Sequence, residues 1–322
     1  MRFPKKAIGI LLIDDCPFID LPPPHSKHLT TDFLSTDGWM LVADLIYSHG
    51  SFTRLKQGRV ATHLVVFVET RYIDEATHLL KRLPKYILIT SDHHDTLSGV
   101  QFENLQTPHS LLEDTALQMW WGVNAAIVHH KLRALPIGPK WEYAHTEFMK
   151  ENTHRITADL EEALKHKKPT KSRLIFAKFT INTTDNPKVH AHRHSREKAR
   201  SSLVRSELSP NDEVESNVPR EQFLKLMAES RFCICPPGNG PDTHRLWEAL
   251  HFDVVPVVLA YPPFERMYQD LPLLEVSSWD DIDKKFFETA QASDQETRMK
   301  SWNRQQLSRN HWKDVIRFQP IV

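Results

Sequence analysis

A glycine-rich turn leading into a helix is the feature of this sequence best suited to binding an anion. The segment 231–259 has the pattern of a strand, the turn PPGNGP, a helix and a second strand. Asp242 and Thr243 follow the turn, and both residue types are good helix N-caps. Backbone N–H groups at the start of a helix attract anions. The segment therefore predicts an anion site beside Gly238 and Gly240.

Two charged residues on this helix make a nucleotide diphosphate the best candidate anion. Arg245 lies in the first turn and Glu248 three residues later, on the same helix face. Arg245 and the backbone donors would hold the phosphates, while Glu248 would accept hydrogen bonds from two ribose hydroxyls. The alternative is an ordinary capped helix with an Arg245–Glu248 surface ion pair, and spacing alone leaves both interpretations open.

Two common nucleotide-binding patterns are absent. The dinucleotide fingerprint G-x-G-x-x-G fails because position 243 is Thr where the third glycine should stand. No G-x-x-x-x-G-K-[ST] loop occurs either. Hydride transfer to a nicotinamide cofactor is therefore disfavoured.

Two further clusters invite a metal interpretation that the sequence does not favour. His190, His192 and His194 alternate along the chain and would share one face of an extended segment, but no carboxylate or cysteine cluster accompanies them. We interpret the segment as a basic loop and helix start that brings Arg193 and Arg196 near the diphosphate. The D-x-D at 281–283 is explained more simply by an N-cap at Ser278 or Asp280. We expect no metal site and no cofactor.

The run Ser91–Asp95, SDHHD, follows a predicted central strand. An inverting sugar transfer needs one base to take a proton from the acceptor hydroxyl, and a His or Asp at a strand end could supply it. Metal binding and plain turn capping are the alternatives for this run. Cys233 and Cys235 alternate on one strand face and are predicted to be buried packing residues.

Composition excludes several classes of protein. The 322 residues are enough for about two domains. The 41 basic residues balance the 41 acidic ones, so no global field favours nucleic acid or anionic membranes. Three cysteines exclude a disulfide framework.

The longest apolar runs have seven residues, against about 20 for a membrane span, and Asp14 and Asp15 end the first run too early for a signal peptide. We expect a cytoplasmic or otherwise soluble protein without a transmembrane anchor.

Strand-like and helix-like segments alternate, which predicts an α/β fold with parallel sheets in two Rossmann-like, doubly wound domains. The predicted strands are Ile8–Ile13, His63–Val68, Tyr86–Thr90, Arg173–Phe179, Phe232–Cys235 and Val254–Leu259. The predicted helices are Trp39–Ser48, Ile73–Leu83, Ala158–His166, Ser195–Leu208, Arg220–Ser230 and Thr243–Phe252. Prolines mark a boundary between residues 138 and 171. Ligands of open α/β sheets bind beyond the carboxyl ends of the strands, so the two domains are expected to face each other across a cleft.

The segment PPGNGPDTHRLWEALHFDVVPVVL resembles the donor-site signature of exostosin-like (family 47) glycosyltransferases. The resemblance is strongest to the algal and viral members of that family. The runs LIFAKFTIN, WWGVNAAIVHHKLRALPIGPKW and YILITSDHHD resemble other family segments in the same order. The resemblance covers most of the chain from Val65 to Ile282. Three positions depart from the family pattern: Asp253 replaces a glycine, Val123 replaces a glutamine, and His93-His94 replaces Asn-Ser.

The resemblance implies a GT-B fold. Residues 1–150 would form the acceptor-side domain, 151–290 the nucleotide-sugar domain and 291–322 a C-terminal helical segment. It also implies a base drawn from Asp95, His94 and His93, with Asp95 first because it matches the aspartate of the family's "N-S-D". The expected donor-binding residues are Gly238, Asn239, Gly240, Asp242, Thr243, His244, Arg245, Glu248, Arg193 and Arg196.

The leading hypothesis is a metal-independent, inverting glycosyltransferase, specifically a hexosyl- or pentosyltransferase. Its partners would be a UDP- or GDP-sugar donor and a carbohydrate or glycoconjugate acceptor, and no nucleic acid. A catalytically silent sugar-binding or scaffold protein with the same shell is the alternative. A metallohydrolase built on residues 92–95 is a third.

Overall fold

The structure, a computed structural model, describes residues 18–19, 37–48, 50–55, 63–91, 108–125, 127–139, 169–181, 190–208 and 218–318. The chain divides into two compact units, Met1–Pro136 with Ser308–Val322, and Ile137–Leu307. Each unit is built around its own sheet. The chain thus changes unit at 136/137 instead of at the predicted 150/151. The predicted C-terminal segment 291–322 is shared between the two units.

The first unit contains a seven-stranded sheet in the order β1-β3-β2-β4-β5-β6-β7. Its strands are Phe18–Ile19 (β1), Leu45–Ser48 (β2), Ser51–Leu55 (β3), Leu64–Glu69 (β4), Tyr86–Ser91 (β5), Leu117–Val123 (β6) and Leu132–Leu135 (β7). Its helices before residue 136 are Ile73–Leu80 (α1) and Pro108–Leu112 (α2), with 3-10 turns at Asp37–Val42 and Thr70–Tyr72.

The centre of this sheet confirms the predicted parallel strands at β4 and β5, and α1 confirms the predicted helix that joins them. Every residue of β5 is buried, as expected for a strand covered on both faces. The predicted strand Ile8–Ile13, the predicted helix Ala158–His166, and Asp14 and Asp15 lie outside the described residues.

Two elements of the first unit differ from prediction. The predicted helix Trp39–Ser48 is wrong: a 3-10 turn ends at Val42, and β2 then pairs with β4. Leu45, Ile46 and Tyr47 are all buried, and such a short apolar run fits a buried strand as well as a helix. The sheet is also not wholly parallel, because β2 and β3 form an antiparallel hairpin. Gly50 permits its tight turn with φ +85°.

The second unit contains a fully parallel sheet in the order β11-β10-β9-β8. Its strands are Arg173–Phe176 (β8), Ser230–Ile234 (β9), Val255–Leu259 (β10) and Leu274–Val276 (β11). Its helices are His190–Arg205 (α3), Arg220–Ala228 (α4), His244–His251 (α5), Glu265–Tyr268 (α6) and Ala290–Ser301 (α7). Its 3-10 turns are Pro262–Phe264, Trp279–Asp281, Phe286–Glu288 and Gln305–Leu307. The strands at β8, β9 and β10 and the helices α3, α4 and α5 confirm the predictions for this half, and the α/β class is confirmed.

The last helix, Arg309–Phe318 (α8), belongs to the first unit. Arg317 donates hydrogen bonds to the carbonyl of Val42 at 2.7 Å and to Asp44 Oδ1 at 2.9 Å. Asp44 Oδ2 also accepts a bond from the backbone N–H of Val65. This largely buried ion pair therefore joins α8 to the start of β2 and of β4. Within the described ranges no helix is long and apolar enough to cross a membrane.

Asp253, which replaces the family glycine, occupies a backbone position that glycine favours. Its φ is +56°, and α5 ends there in a Schellman motif. Val254 N–H bonds to the carbonyl of Ala249, and Asp253 N–H to that of Leu250. Aspartate tolerates this left-handed conformation better than most residues, and its carboxylate pairs with Arg304. The substitution therefore preserves the helix end.

The turn before α5 is fixed by a buried carboxylate. Asp242 is 2% exposed, and it accepts hydrogen bonds from the backbone N–H of Ile137 at 2.8 Å and from Trp247 Nε1 at 3.0 Å. Tyr268 Oη lies 3.3 Å from Asp242 Oδ1. Burial raises the pKa of Asp242 to about 7, even though these hydrogen bonds act in the opposite direction. Asp242 thereby joins the start of the unit, the turn and α6.

The raised pKa of Asp242 predicts a specific dependence of stability on pH. Between about pH 4 and about pH 7 the folded chain holds a proton that the unfolded chain releases. The stabilisation is complete below this window and is lost as the pH rises through it. Asp242→Asn cannot ionise, so the variant should gain stability relative to the wild type with rising pH, by at most about 1.4 kcal/mol per unit. Urea unfolding across this range measures the difference, and a difference that does not change with pH would contradict the prediction.

Candidate functional site

The β9–α5 turn lies at the carboxyl end of β9, as the sequence predicts. The Gly238 N–H donates to the carbonyl of Gly240 at 2.9 Å and closes the turn. Thr243 is the N-cap of α5 but makes no side-chain capping bond. The Thr243 hydroxyl is buried without a hydrogen-bond partner in the described part of the protein. Hence the first turn of α5 keeps backbone donors that its cap residue does not use.

Arg196 approaches this turn from α3. Its guanidinium is held by two carbonyls, with Nε 2.6 Å from Pro237 O and Nη1 2.6 Å from Thr180 O. A Cβ at Gly238 would lie 3.3 Å from Arg196 Nη2, so the glycine allows the arginine to approach the turn closely. The structure thus brings Arg196 to the turn, and its contact with a diphosphate stays a prediction. Arg193 lies one helical turn earlier on α3.

Arg245 is a second cation beside Arg196. Both guanidinium carbons lie 5.9 Å from the ring centroid of Phe179, and that of Arg245 lies 5.8 Å from the ring of Phe223. Among the described residues no carboxylate lies within ion-pair distance of either arginine, and Arg245 Nε has no hydrogen-bond partner. Burial, and then the charge of Arg245, lower the pKa of Arg196 to about 9. An anion between the two would relieve both effects.

Glu248 lies one turn further along α5 and is 2% exposed. Its Oε1 is 2.5 Å from Arg220 Nη2, and its Oε2 is 3.4 Å from Arg220 Nη1. Burial alone would raise the pKa of Glu248, but the charge and hydrogen bonds of Arg220 outweigh burial and lower it. The surface Arg245–Glu248 pair considered as an alternative is therefore wrong. Arg220 is a residue that the sequence analysis missed, since only tertiary structure brings it to Glu248.

The other predicted donor residues surround the same turn. His244 Nδ1 lies 2.8 Å from the carbonyl of Gly138, and Asn239 is half-buried in the turn. Asp242 accepts the hydrogen bonds from Ile137 and Trp247 described above. Its contact with a nucleotide-sugar stays a prediction. His93, His94 and Asp95 lie outside the described residues, so the predicted base also stays a prediction.

The competing clusters have structural roles. Ser278 and Asp281 form a capping box at the 3-10 turn 279–281, which confirms the capping interpretation of the D-x-D. Asp280 is bound by Arg205 and Lys198, whose hydrogen bonds lower its pKa. The segment from His190 is helical, which fits the predicted helix start and not the extended segment that the metal interpretation requires. In the described ranges no cluster of three potential metal ligands occurs.

Cys233 and Cys235 are buried, with their sulfurs 3.6 Å apart. Burial, with the neighbouring Cys233 thiol, raises the pKa of Cys235 well above its ordinary value. A neutral thiol is a poor nucleophile, and the prediction of packing residues is confirmed.

Comparison with known proteins matches residues 127–281 to the Exostosin GT47 domain. No curated protein matches the chain. Among solved structures, the chain is 9% identical to a UDP-forming α,α-trehalose-phosphate synthase from Burkholderia xenovorans, with 78% of this chain and 72% of that chain covered and a TM-score of 0.40. A trehalose-6-phosphate structure from E. coli bound with UDP-2-fluoro glucose gives 11% identity, coverage of 81% and 71%, and a TM-score of 0.32.

The domain match includes both strands that flank the glycine turn, together with Arg196, Arg220, Arg245 and Glu248. The assignment rests on this match, because the structural similarities are too low to carry an argument. Residues 127–281 therefore match the Exostosin GT47 domain, which supports an exostosin-like glycosyltransferase of family 47.

Proposed function

We propose that this protein transfers a hexosyl or pentosyl group from a UDP- or GDP-sugar to a glycan hydroxyl. The observation that carries the proposal is the pair of neighbouring arginines, Arg196 and Arg245, at the start of α5, neither of which forms an ion pair with a described carboxylate. A diphosphate supplies the negative charge that this arrangement lacks. Glu248, ionised and at the next turn of the same helix, suits two ribose hydroxyls.

The reaction proposed is a direct displacement at the anomeric carbon. The acceptor oxygen forms the new bond and loses its proton to a base, and the bond between the sugar and the diphosphate breaks. One such displacement inverts the anomeric centre. We assign the base to Asp95 on the resemblance to "N-S-D", with His94 and then His93 as the next candidates. The negative charge that grows on the leaving diphosphate would be stabilised by the two arginines and the helix N-terminus.

The donor screen is the first experiment. Calorimetry with UDP, GDP and candidate nucleotide-sugars, followed by a donor-hydrolysis assay, tests binding and turnover separately. Nucleotide binding with turnover supports the proposal. Binding without any turnover would favour a sugar-binding or scaffold protein, and metal-dependent ester cleavage would favour a hydrolase.

Arg245→Ala should lower kcat by about 10²–10³-fold, because Arg245 neutralises charge that is largest in the transition state. Arg245→Lys should restore only part of the rate, since lysine lacks the planar fork. Steady-state kinetics with the identified donor measures both effects. Arg231→Ala is the matched control, because Arg231 pairs with Glu296 outside the turn. An Arg245→Ala variant with the wild-type kcat would contradict the role of this arginine.

Glu248→Gln should chiefly raise the donor KM, by about 10- to 100-fold if a charged hydrogen-bonding site contributes about 1.5–3 kcal/mol. Its effect on kcat should be small, because ribose hydroxyls are held equally before and during the reaction. The ratio of the two effects separates Glu248 from Arg245. A variant with unchanged KM and lowered kcat would argue against ribose binding by Glu248.

Removal of divalent metals by EDTA should change the rate by less than about twofold, because arginines and a helix N-terminus would perform the charge stabilisation that a metal otherwise supplies. The assay compares metal-free enzyme with and without added manganese. Loss of turnover that manganese restores would show that a cation is required. Asp281, Asp283 and the histidines of 190–194 would then be the candidate metal ligands.

A further inference from the structure

Arg220 contacts Glu248, and the proposed reaction leaves this arginine without a role. It begins α4 and lies 28 positions before Glu248 along the chain. Its guanidinium is 5.2 Å from the centroid of Phe223, the ring that also lies near Arg245. Phe223 thus lies near both the arginine on α4 and the arginine on α5.

The surroundings of Glu248 explain why a cation is needed there. The side chain is almost wholly buried, and burial opposes its negative charge. Arg220 makes the largest favourable contribution to the charge, followed by His244 and Arg245 of its own helix. Of the other titratable groups near Glu248, Cys235 precedes the glycine turn and His251 ends the same helix, and both contribute little charge. Burial keeps the Cys235 thiol protonated, and it lowers the pKa of His251 to about 4.

We propose that Arg220 is a positioning residue for the donor site: it keeps Glu248 ionised and holds its two oxygens in the orientation that ribose hydroxyls require. This inference rests on the proposed function. The pair of contacts at 2.5 and 3.4 Å joins the planar guanidinium to both carboxylate oxygens, which fixes the last torsion of the glutamate.

A positioning role through charge predicts a pH dependence that a direct ligand contact would not produce. In Arg220→Gln, burial of Glu248 is no longer balanced, so its carboxyl should protonate at a higher pH than in the wild type. The affinity for UDP or GDP, whichever the wild type binds, should be weaker than wild type by about tenfold near pH 6, and the deficit should shrink toward pH 8. Because the nucleotide itself titrates, the measured quantity is the ratio of the variant to the wild-type dissociation constant.

Two further variants separate positioning from a general loss of structure. Arg220→Lys restores the charge without the fork, so its ratio should be constant with pH and its affinity within several-fold of wild type. Arg220→Gln combined with Glu248→Gln removes both charges, so it should bind no more weakly than Glu248→Gln alone. Arg231→Gln, which breaks the comparable Arg231–Glu296 pair, is the matched control and should bind as the wild type does.

The outcomes are distinct. A loss of affinity that is equal at every pH, or that adds fully to the Glu248→Gln loss, would overturn the positioning role and leave the proposed function intact. A wild-type protein that binds neither UDP nor GDP would overturn the proposed function, and the positioning role with it. An Arg220→Gln variant that binds as the wild type does throughout would overturn the positioning role alone.

Discussion

The juxtaposition of Arg196 and Arg245 is the constraint around which the second unit is arranged. Two guanidiniums near one aromatic ring repel each other, and burial makes the repulsion more costly. The protein holds Arg196 in place with carbonyl oxygens of Thr180 and Pro237, which satisfy its N–H groups without neutralising its charge. A carboxylate in place of either carbonyl would form an ion pair with Arg196 and remove its attraction for an anionic ligand.

Backbone geometry makes this arrangement possible. Gly238 lacks the Cβ that would crowd Arg196, and the turn that contains it is anchored by Asp242 on its other side. Asp242 and Glu248 are both buried carboxyls within one short segment, but their environments differ. Asp242 accepts hydrogen bonds from the uncharged donors of Ile137, Trp247 and Tyr268, and burial dominates, so its pKa rises. Glu248 contacts a guanidinium, so its pKa falls. Asp242 can therefore stabilise the fold as a neutral carboxyl group, whereas Glu248 stays negatively charged and can accept hydrogen bonds from a ligand.

The sequence predicts the elements that position the site better than it predicts their partners. Strands β9 and β10 and helix α5 follow from local apolar patterns, turn residues and capping residues, which are neighbours in the chain. Arg196 could be placed on a helix start after the first strand of its domain, and the structure brings it to the glycine turn. Arg220 could not be assigned to Glu248, because its partner lies on another helix and nothing in its local sequence distinguishes it from a solvent-exposed arginine. The predicted helix at Trp39–Ser48 was wrong for a related reason. Burial on both faces of the strand removes the apolar periodicity that distinguishes a strand from a helix.

The departure at Asp253 shows why a substituted motif position must be judged by its backbone. As a sequence difference, the loss of a glycine five residues after Glu248 counts in favour of a protein that has lost its activity. In the structure the position is the left-handed residue that ends α5, and what it must supply is a positive φ. Aspartate supplies it, and its carboxylate pairs with Arg304. The Schellman hydrogen bonds are retained, so α5 and β10 keep the register that places Arg245 and Glu248 beside the turn. This substitution therefore gives no support to the silent-protein hypothesis.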